Sequence, residues 1–279
     1  MPHTTLISAA RTRELLAAAA PLVLLDCRFD LTDTAAGERA WVAGHLPGAH
    51  YAHLDRDLSG ARTGRNGRHP LPDFADMAAT AGRWGVAPGV QVVAYDAQDG
   101  SFASRAWWLL HWLGHEAVAV LDGGLAAWLA AGGTLDTTVP IAAPALPYPA
   151  VGPSMPTIAT EALQARLGQT TLLDARAAER FRGEVEPLDP VAGHIPGATL
   201  RFFRDNLGAD GCFKSAAQLH AEYGALGAGA GAVVHQCGSG VTACHNVLAM
   251  IHAGYDGAVL YPGSWSEWCS DPSRPVARG

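Results

Sequence analysis

Among the 279 residues, the stretch best equipped for chemistry is Val233-Val234-His235-Gln236-Cys237-Gly238-Ser239-Gly240-Val241-Thr242-Ala243-Cys244. An apolar run delivers Cys237 onto a glycine-rich turn, and a helical pattern begins near Val241. Gly238 and Gly240 let the backbone fold tightly around the sulfur, so that successive N–H groups line an anion-binding concavity. The positive end of the following helix adds to that field. Both effects favour thiolate over thiol, and the thiolate is the nucleophile. A plainer reading makes Cys237 a small buried hydrophobe. The strand-cysteine-glycine-helix setting favours the reactive one.

The elements that must position this cysteine follow from the wider chain. A length of 279 residues exceeds the usual single core of about 100–150 residues, so two domains are expected. With 49% hydrophobic residues there is material for two cores. The net charge of -7, with scattered arginines, argues against a nucleic-acid surface. Met1-Pro2-His3-Thr4-Thr5 has neither a basic segment nor an apolar core after it, and the longest apolar windows are interrupted. The chain therefore reads as cytoplasmic, neither exported nor membrane-spanning. The five cysteines (Cys27, Cys212, Cys237, Cys244, Cys269) show no C-x-x-C pair or zinc spacing, which suits a reducing compartment and predicts no metal. Cys27, Cys212 and Cys269 read as structural, and Cys244 as packed away in the helix rather than paired with Cys237.

The chain repeats itself. Ala43-Gly44-His45-Leu46-Pro47-Gly48-Ala49 matches Ala192-Gly193-His194-Ile195-Pro196-Gly197-Ala198, and each follows a strand-like run ending in Asp-x-Arg, at Asp26-Cys27-Arg28 and Asp174-Ala175-Arg176. Val92-Val93-Ala94-Tyr95-Asp96 matches Val233 to Cys237, and Leu121 to Trp128 matches Leu260 to Trp268. Four landmarks in one order indicate a duplicated domain, not a short solenoid repeat. The proline-rich stretch from Asp136 to Pro156 reads as an extended linker. Short Val/Leu/Ile runs alternate with helical patterns over Ala103 to Leu113 and Val241 to Ala253, the signature of an α/β fold with parallel sheets. In such sheets ligands sit beyond the carboxyl ends of the strands, where Cys237 falls. The first copy has Asp96 at that position and a longer acidic loop, so it lacks a nucleophile. Its expected work is structural, as one wall of a cleft. His45, His194, both Asp-x-Arg sets and Trp128, Trp265 and Trp268 read as structural or core residues.

These landmarks resemble the tandem-domain rhodanese-type sulfurtransferases over nearly the whole chain. The resemblance implies two rhodanese-like domains, each a small parallel sheet flanked by helices: an inactive copy at 1–138, the linker at 139–156 and a catalytic copy at 157–279. It also implies that Cys237 takes a sulfane sulfur as a persulfide and passes it to a thiol or cyanide. No cofactor is expected, and a thioredoxin-like reductant is a candidate partner. The neutral loop Cys237-Gly238-Ser239-Gly240-Val241-Thr242 is similar to that of the mercaptopyruvate type, whereas thiosulfate-preferring members carry basic residues there. Gly238, Gly240, Val241 and Thr242 are expected to cradle the transferred sulfur. By the same resemblance Arg180, in the Arg180-Phe181 pair, binds the donor carboxylate; the alternative is a solvated surface arginine.

The chain departs from the mercaptopyruvate pattern at Glu186-Pro187-Leu188-Asp189-Pro190, where Leu188 stands in place of a second arginine. Arg182 alternates away from Arg180 if the segment is extended. The family's proposed Ser-His-Asp relay maps by position onto Ser239, His69 and Asp57. For His69 the alternative is a loop histidine without a role, and for Asp57 a simple turn or cap. Three readings thus stand beside mercaptopyruvate transfer. One is thiosulfate as donor. Another is a persulfide carrier fed by a partner protein. The third is a cysteine phosphatase, disfavoured because Thr242 and Ala243 occupy the loop end where a phosphate-binding arginine belongs.

Overall fold

The computed structural model describes residues 1–140 and 146–279; positions 141–145 of the expected linker, Pro144 among them, lie outside the described residues. The chain divides into two compact units. The first comprises Met1–Ser59, Pro72–Met155 and Asp210–Cys212, and the second Gly60–Leu71, Pro156–Ala209 and Phe213–Gly279. The segment Gly60–Leu71 therefore belongs with the second unit, although it lies within the first repeat.

In the first unit five parallel strands, β1 (Leu6–Ile7), β2 (Leu22–Asp26), β3 (His50–Tyr51), β4 (Gln91–Tyr95) and β5 (Val118–Leu121), lie in the order β1-β5-β4-β2-β3. Helices α1 (Ala9–Ala17), α2 (Ala36–Ala43), α3 (Phe74–Arg83), α4 (Ser101–Trp112) and α5 (Gly124–Ala130) accompany them. The second unit holds β6 (Thr171–Asp174), β7 (Ala198–Leu200), β8 (Val233–Gln236) and β9 (Ala258–Leu260), all parallel, in the order β7-β6-β8-β9. Its helices are α6 (Thr160–Gln164), α7 (Ala178–Phe181), α8 (Ala216–Ala225), α9 (Thr242–His252) and α10 (Ser264–Trp268). β4 and β8 are buried along their whole length, which is why they read as continuous apolar runs without alternation.

The repeated motifs perform one structural task twice. Asp26 forms a two-point ion pair with Arg28, whose guanidinium continues to the Gly44 carbonyl at 2.7 Å. Asp174, Arg176 and Gly193 repeat this, the last bond at 2.8 Å. His45 Nδ1 lies 2.7 Å from the Trp41 carbonyl and His194 Nδ1 2.8 Å from that of Phe181. Each set ties the end of a central strand to the turn before the next one. Trp128, Trp265 and Trp268 are core residues, and each indole N–H finds a backbone carbonyl, of Thr134, Val191 and Pro275 respectively.

Behind the cysteine-bearing strand end, His235 is fully buried near the Met250 sulfur and the Tyr223 ring. Burial pushes its pKa down to about 3. The imidazole is thus neutral in the folded chain, while the unfolded chain takes up a proton below about pH 6.5. Between those limits the unfolded state binds the extra proton, so stability falls as pH falls. Lowering pH from 6.5 to 5 is expected to cost the second unit about 1–2 kcal/mol through this group. Urea unfolding at the two pH values reads the loss, and His235→Leu should remove most of it.

Candidate active site

Cys237 follows β8 directly and is 2% exposed. The N–H groups of Ser239 and Gly240 point at its sulfur, 3.4 and 3.2 Å away, the arrangement that holds a sulfur anion. Gly240 makes the turn at φ +78°, and a Cβ there would stand 2.3 Å from the Pro262 carbonyl oxygen. Val241 caps α9 and Thr242 opens it, forming the junction between loop and helix. Cys244 is fully buried on α9, its thiol 3.3 Å from the Gly240 carbonyl, and it is a free cysteine like Cys237.

The twin domain shows what this loop is shaped to hold. At the corresponding position Asp96 turns its own carboxylate into the loop and accepts N–H bonds from Gln98, Gly100, Phe102 and Ala103 at 3.0–3.1 Å. One copy fills its cradle with a fixed carboxylate and the other with a sulfur.

A second difference between the copies concerns backbone strain. Leu125 N–H bonds to the Asp96 carbonyl and Trp265 N–H to the Cys237 carbonyl, both at 2.9 Å, so Gly124 and Ser264 are counterparts. Both are left-handed, at φ +55° and +53°, a conformation that costs a serine but not a glycine. Ser264 Oγ accepts the Cys237 N–H at 3.0 Å and donates to the Tyr261 carbonyl. The strained serine thus anchors the nucleophile's own backbone. Sequence reading passed over it, although a Ser-for-Gly difference between aligned repeats is a usable signal.

His69 Nδ1 lies 2.7 Å from Ser239 Oγ, with both residues buried. The segment Gly60–Leu71 holds this histidine through the Arg68 N–H, which bonds to Ser266 Oγ at 3.0 Å. Asp57 belongs to the first unit, where its carboxylate accepts the His53 N–H at 2.9 Å and Arg56 Nε at 3.3 Å.

Arg180 is not a solvated surface arginine. Its guanidinium reaches Glu186 at 2.7 Å and Asp189 at 3.4 Å, and both carboxylates are buried. The short helix α7 replaces the extended segment considered for this stretch, and Arg182 pairs with Glu184 at the surface. Arg68, missed in the sequence, ion-pairs with Asp189. A Cβ built on Gly238 would stand 2.9 Å from Arg68 Nη2 and 3.3 Å from Arg180 Nη1. Two guanidinium groups thus converge on the loop. Leu188, where the second arginine was expected, is exposed. A third cation, Arg176, is buried over the Trp265 ring. Burial works against its charge, but Asp174, Glu186 and Cys237 outweigh that and raise its pKa.

Beside this cluster a cleft of about 400 Å³ is lined by Arg68, Leu188, Asp189, Ser266 and Cys269, among others. Burial, reinforced by Asp189, pushes the Cys269 thiol up to about 11, so it stays protonated near neutral pH. Among the described residues no group of His, Cys, Asp and Glu could hold a metal, and no helix is long and apolar enough to cross a membrane.

The arrangement can hold a sulfur nucleophile in an N–H cradle, move a proton between a hydroxyl and an imidazole, and bind an anionic group with paired guanidiniums. Comparison with known proteins agrees with this chemistry. A Pseudomonas aeruginosa protein named "Probable 3-mercaptopyruvate sulfurtransferase" is 53% identical over 264 residues, covering 92% of this chain and 93% of that one. A Mycobacterium tuberculosis protein named "Putative thiosulfate sulfurtransferase SseB" is 44% identical over 288 residues, covering 98% and 97%. The solved structure of 3-mercaptopyruvate sulfurtransferase from Leishmania major superposes with a TM-score of 0.84 at 29% identity, covering 96% of this chain and 75% of that one. The Rhodanese-like domain matches twice, at residues 8–131 and 159–271. With both repeats matched, the chain belongs to the rhodanese-like family.

Proposed function

We propose that this protein is a sulfurtransferase that moves the sulfur of 3-mercaptopyruvate to a thiol or cyanide through a persulfide on Cys237. The observation that carries the reading is Cys237 Sγ in the N–H cradle of Ser239 and Gly240, with two guanidiniums meeting at the adjacent Gly238. In this reading 157–279 carries the chemistry, joined by the loop at 60–71, and 1–138 is the inactive copy, its cradle closed by Asp96.

The Cys237 thiolate attacks the donor sulfur, the carbon–sulfur bond breaks, and its electron pair passes to the pyruvate enolate. The cysteine and donor sulfurs each give up one electron in forming the S–S bond, and the carbon is reduced by two. The proton on the donor thiol matches the one that the enolate takes up, so the half-reaction needs no external acid. In this reading Ser239 and His69 carry that proton, supported by their 2.7 Å contact. Arg180 and Arg68 bind the donor carboxylate. An acceptor thiolate or cyanide then attacks the outer sulfur, and Cys237 leaves as thiolate. The five free cysteines suit a reducing compartment such as the cytoplasm, where a thioredoxin-like protein could serve as thiol acceptor.

Thiosulfate is the second reading, favoured by the paired guanidiniums and by the mycobacterial relative's name. Incubation with each donor and cyanide, followed as thiocyanate formation and by mass spectrometry, tests both. One added sulfur atom on Cys237 is expected, and Cys237→Ser should abolish it together with turnover. Single-round transfer from a protein donor, without turnover of either small donor, would instead identify a carrier.

The proton relay gives a donor-specific prediction. Ser239→Ala and His69→Gln are expected to lower kcat with mercaptopyruvate by about 10²-fold, the lower end for general acid–base catalysis. Thiosulfate releases sulfite, which needs no proton, so its kcat should move by much less. Equal losses with both donors would rule out the relay.

A further inference from the structure

We infer that Asp189 is a specificity-determining residue, a built-in carboxylate that limits the charge of the donor the site accepts; this rests on the sulfurtransferase reading. Its buried carboxylate bridges the two guanidiniums that reach Gly238, ion-paired to Arg68 and 3.4 Å from Arg180. Glu186 shares Arg180 Nη2 with Asp189, at 2.7 Å, and reaches Arg176 at 3.5 Å, while Asp174 closes on Arg176. Three arginines thus face three carboxylates, so the side chains around Cys237 carry no formal excess of positive charge before any donor arrives. Burial, with Glu186 adding to it, leaves the Asp189 carboxyl above its ordinary value, although Arg68 and Arg180 pull against that.

A donor anion bound above Gly238 would first meet Arg68 Nη2 and Arg180 Nη1, on the same guanidiniums whose Arg68 Nη1 and Arg180 Nη2 Asp189 engages. It also feels the Asp189 charge directly. That repulsion grows with donor charge, so it weighs about twice as heavily on dianionic thiosulfate as on the single carboxylate of mercaptopyruvate. A guanidinium pair with no internal counter-ion would favour the dianion. With Asp189 in place the site is tuned to a monoanion, although Leu188 has replaced the expected second arginine.

The test compares kcat/KM for thiosulfate and mercaptopyruvate at fixed ionic strength in the full chain, Asp189→Asn and Asp189→Glu. Asp189→Asn should raise the thiosulfate-to-mercaptopyruvate ratio by about tenfold, a unit charge several ångströms away in a partly buried site, chiefly through the thiosulfate KM. Asp189→Glu keeps the charge and should hold the ratio near that of the parent. Arg68→Gln, which removes a cation with Asp189 intact, should move the ratio the opposite way and gives a second measure if Asp189→Asn folds poorly. A purely structural residue would depress both donors together. An unmoved ratio in both Asp189→Asn and Arg68→Gln overturns the proposal alone. Failure of the parent protein to use either donor overturns the functional reading beneath it.

Discussion

The structure turns on the demand of a strand-to-helix loop for an anion. At the carboxyl ends of β4 and β8 the chain reverses tightly before a helix, which leaves backbone N–H groups converging on one point with the positive end of the helix behind them. Buried N–H groups without a partner are costly, so something electron-rich must occupy that point. In the first copy it is the carboxylate of Asp96, with four N–H bonds. In the second it is the sulfur of Cys237, with two. The same geometric problem thus has a fixed solution in one repeat and a reactive one in the other.

Around the sulfur the charges are arranged as pairs. Arg176 cannot be buried without Asp174, nor Asp174 without Arg176, since a lone buried ion is far costlier than a paired one. Glu186 and Asp189 extend the pairing outward to Arg180 and Arg68, so the cations near Gly238 are held in place before any ligand arrives. The pairing that orients the guanidiniums also moderates them. Geometry for anion binding and restraint on anion charge come from the same contacts.

Much of this was legible in the residues. Apolar runs ending in Asp-x-Arg, the duplicated Gly-His-x-Pro-Gly-Ala segment and the cysteine on its glycine turn are local patterns, and local patterns survive in sequence. The Asp-x-Arg pairs and the turn histidines bond as their repetition in both copies implied. Three features were hidden. The strain at Ser264 is a backbone torsion that shows in the sequence only as a serine aligned with Gly124 of the other copy. Arg68 lies 112 residues before Arg180 in the sequence and meets it only through folding. The sequence offered Arg180 as a donor-binding residue only through the resemblance, and its carboxylate partners lie beyond a turn whose course the sequence does not specify.

The sequence by itself therefore determined the duplicated α/β organisation, the cysteine on a glycine-rich turn after β8 and the class of chemistry that a cradled thiolate performs. These depend on periodicity and on residues adjacent in the chain. Tertiary structure decided which groups surround that thiolate: His69 against Ser239, Arg68 beside Arg180, and Asp189 between the two arginines. Hydrogen bonds and charge interactions act over a few ångströms of space. For residues far apart in the chain, that proximity exists only once the strands and loops have packed.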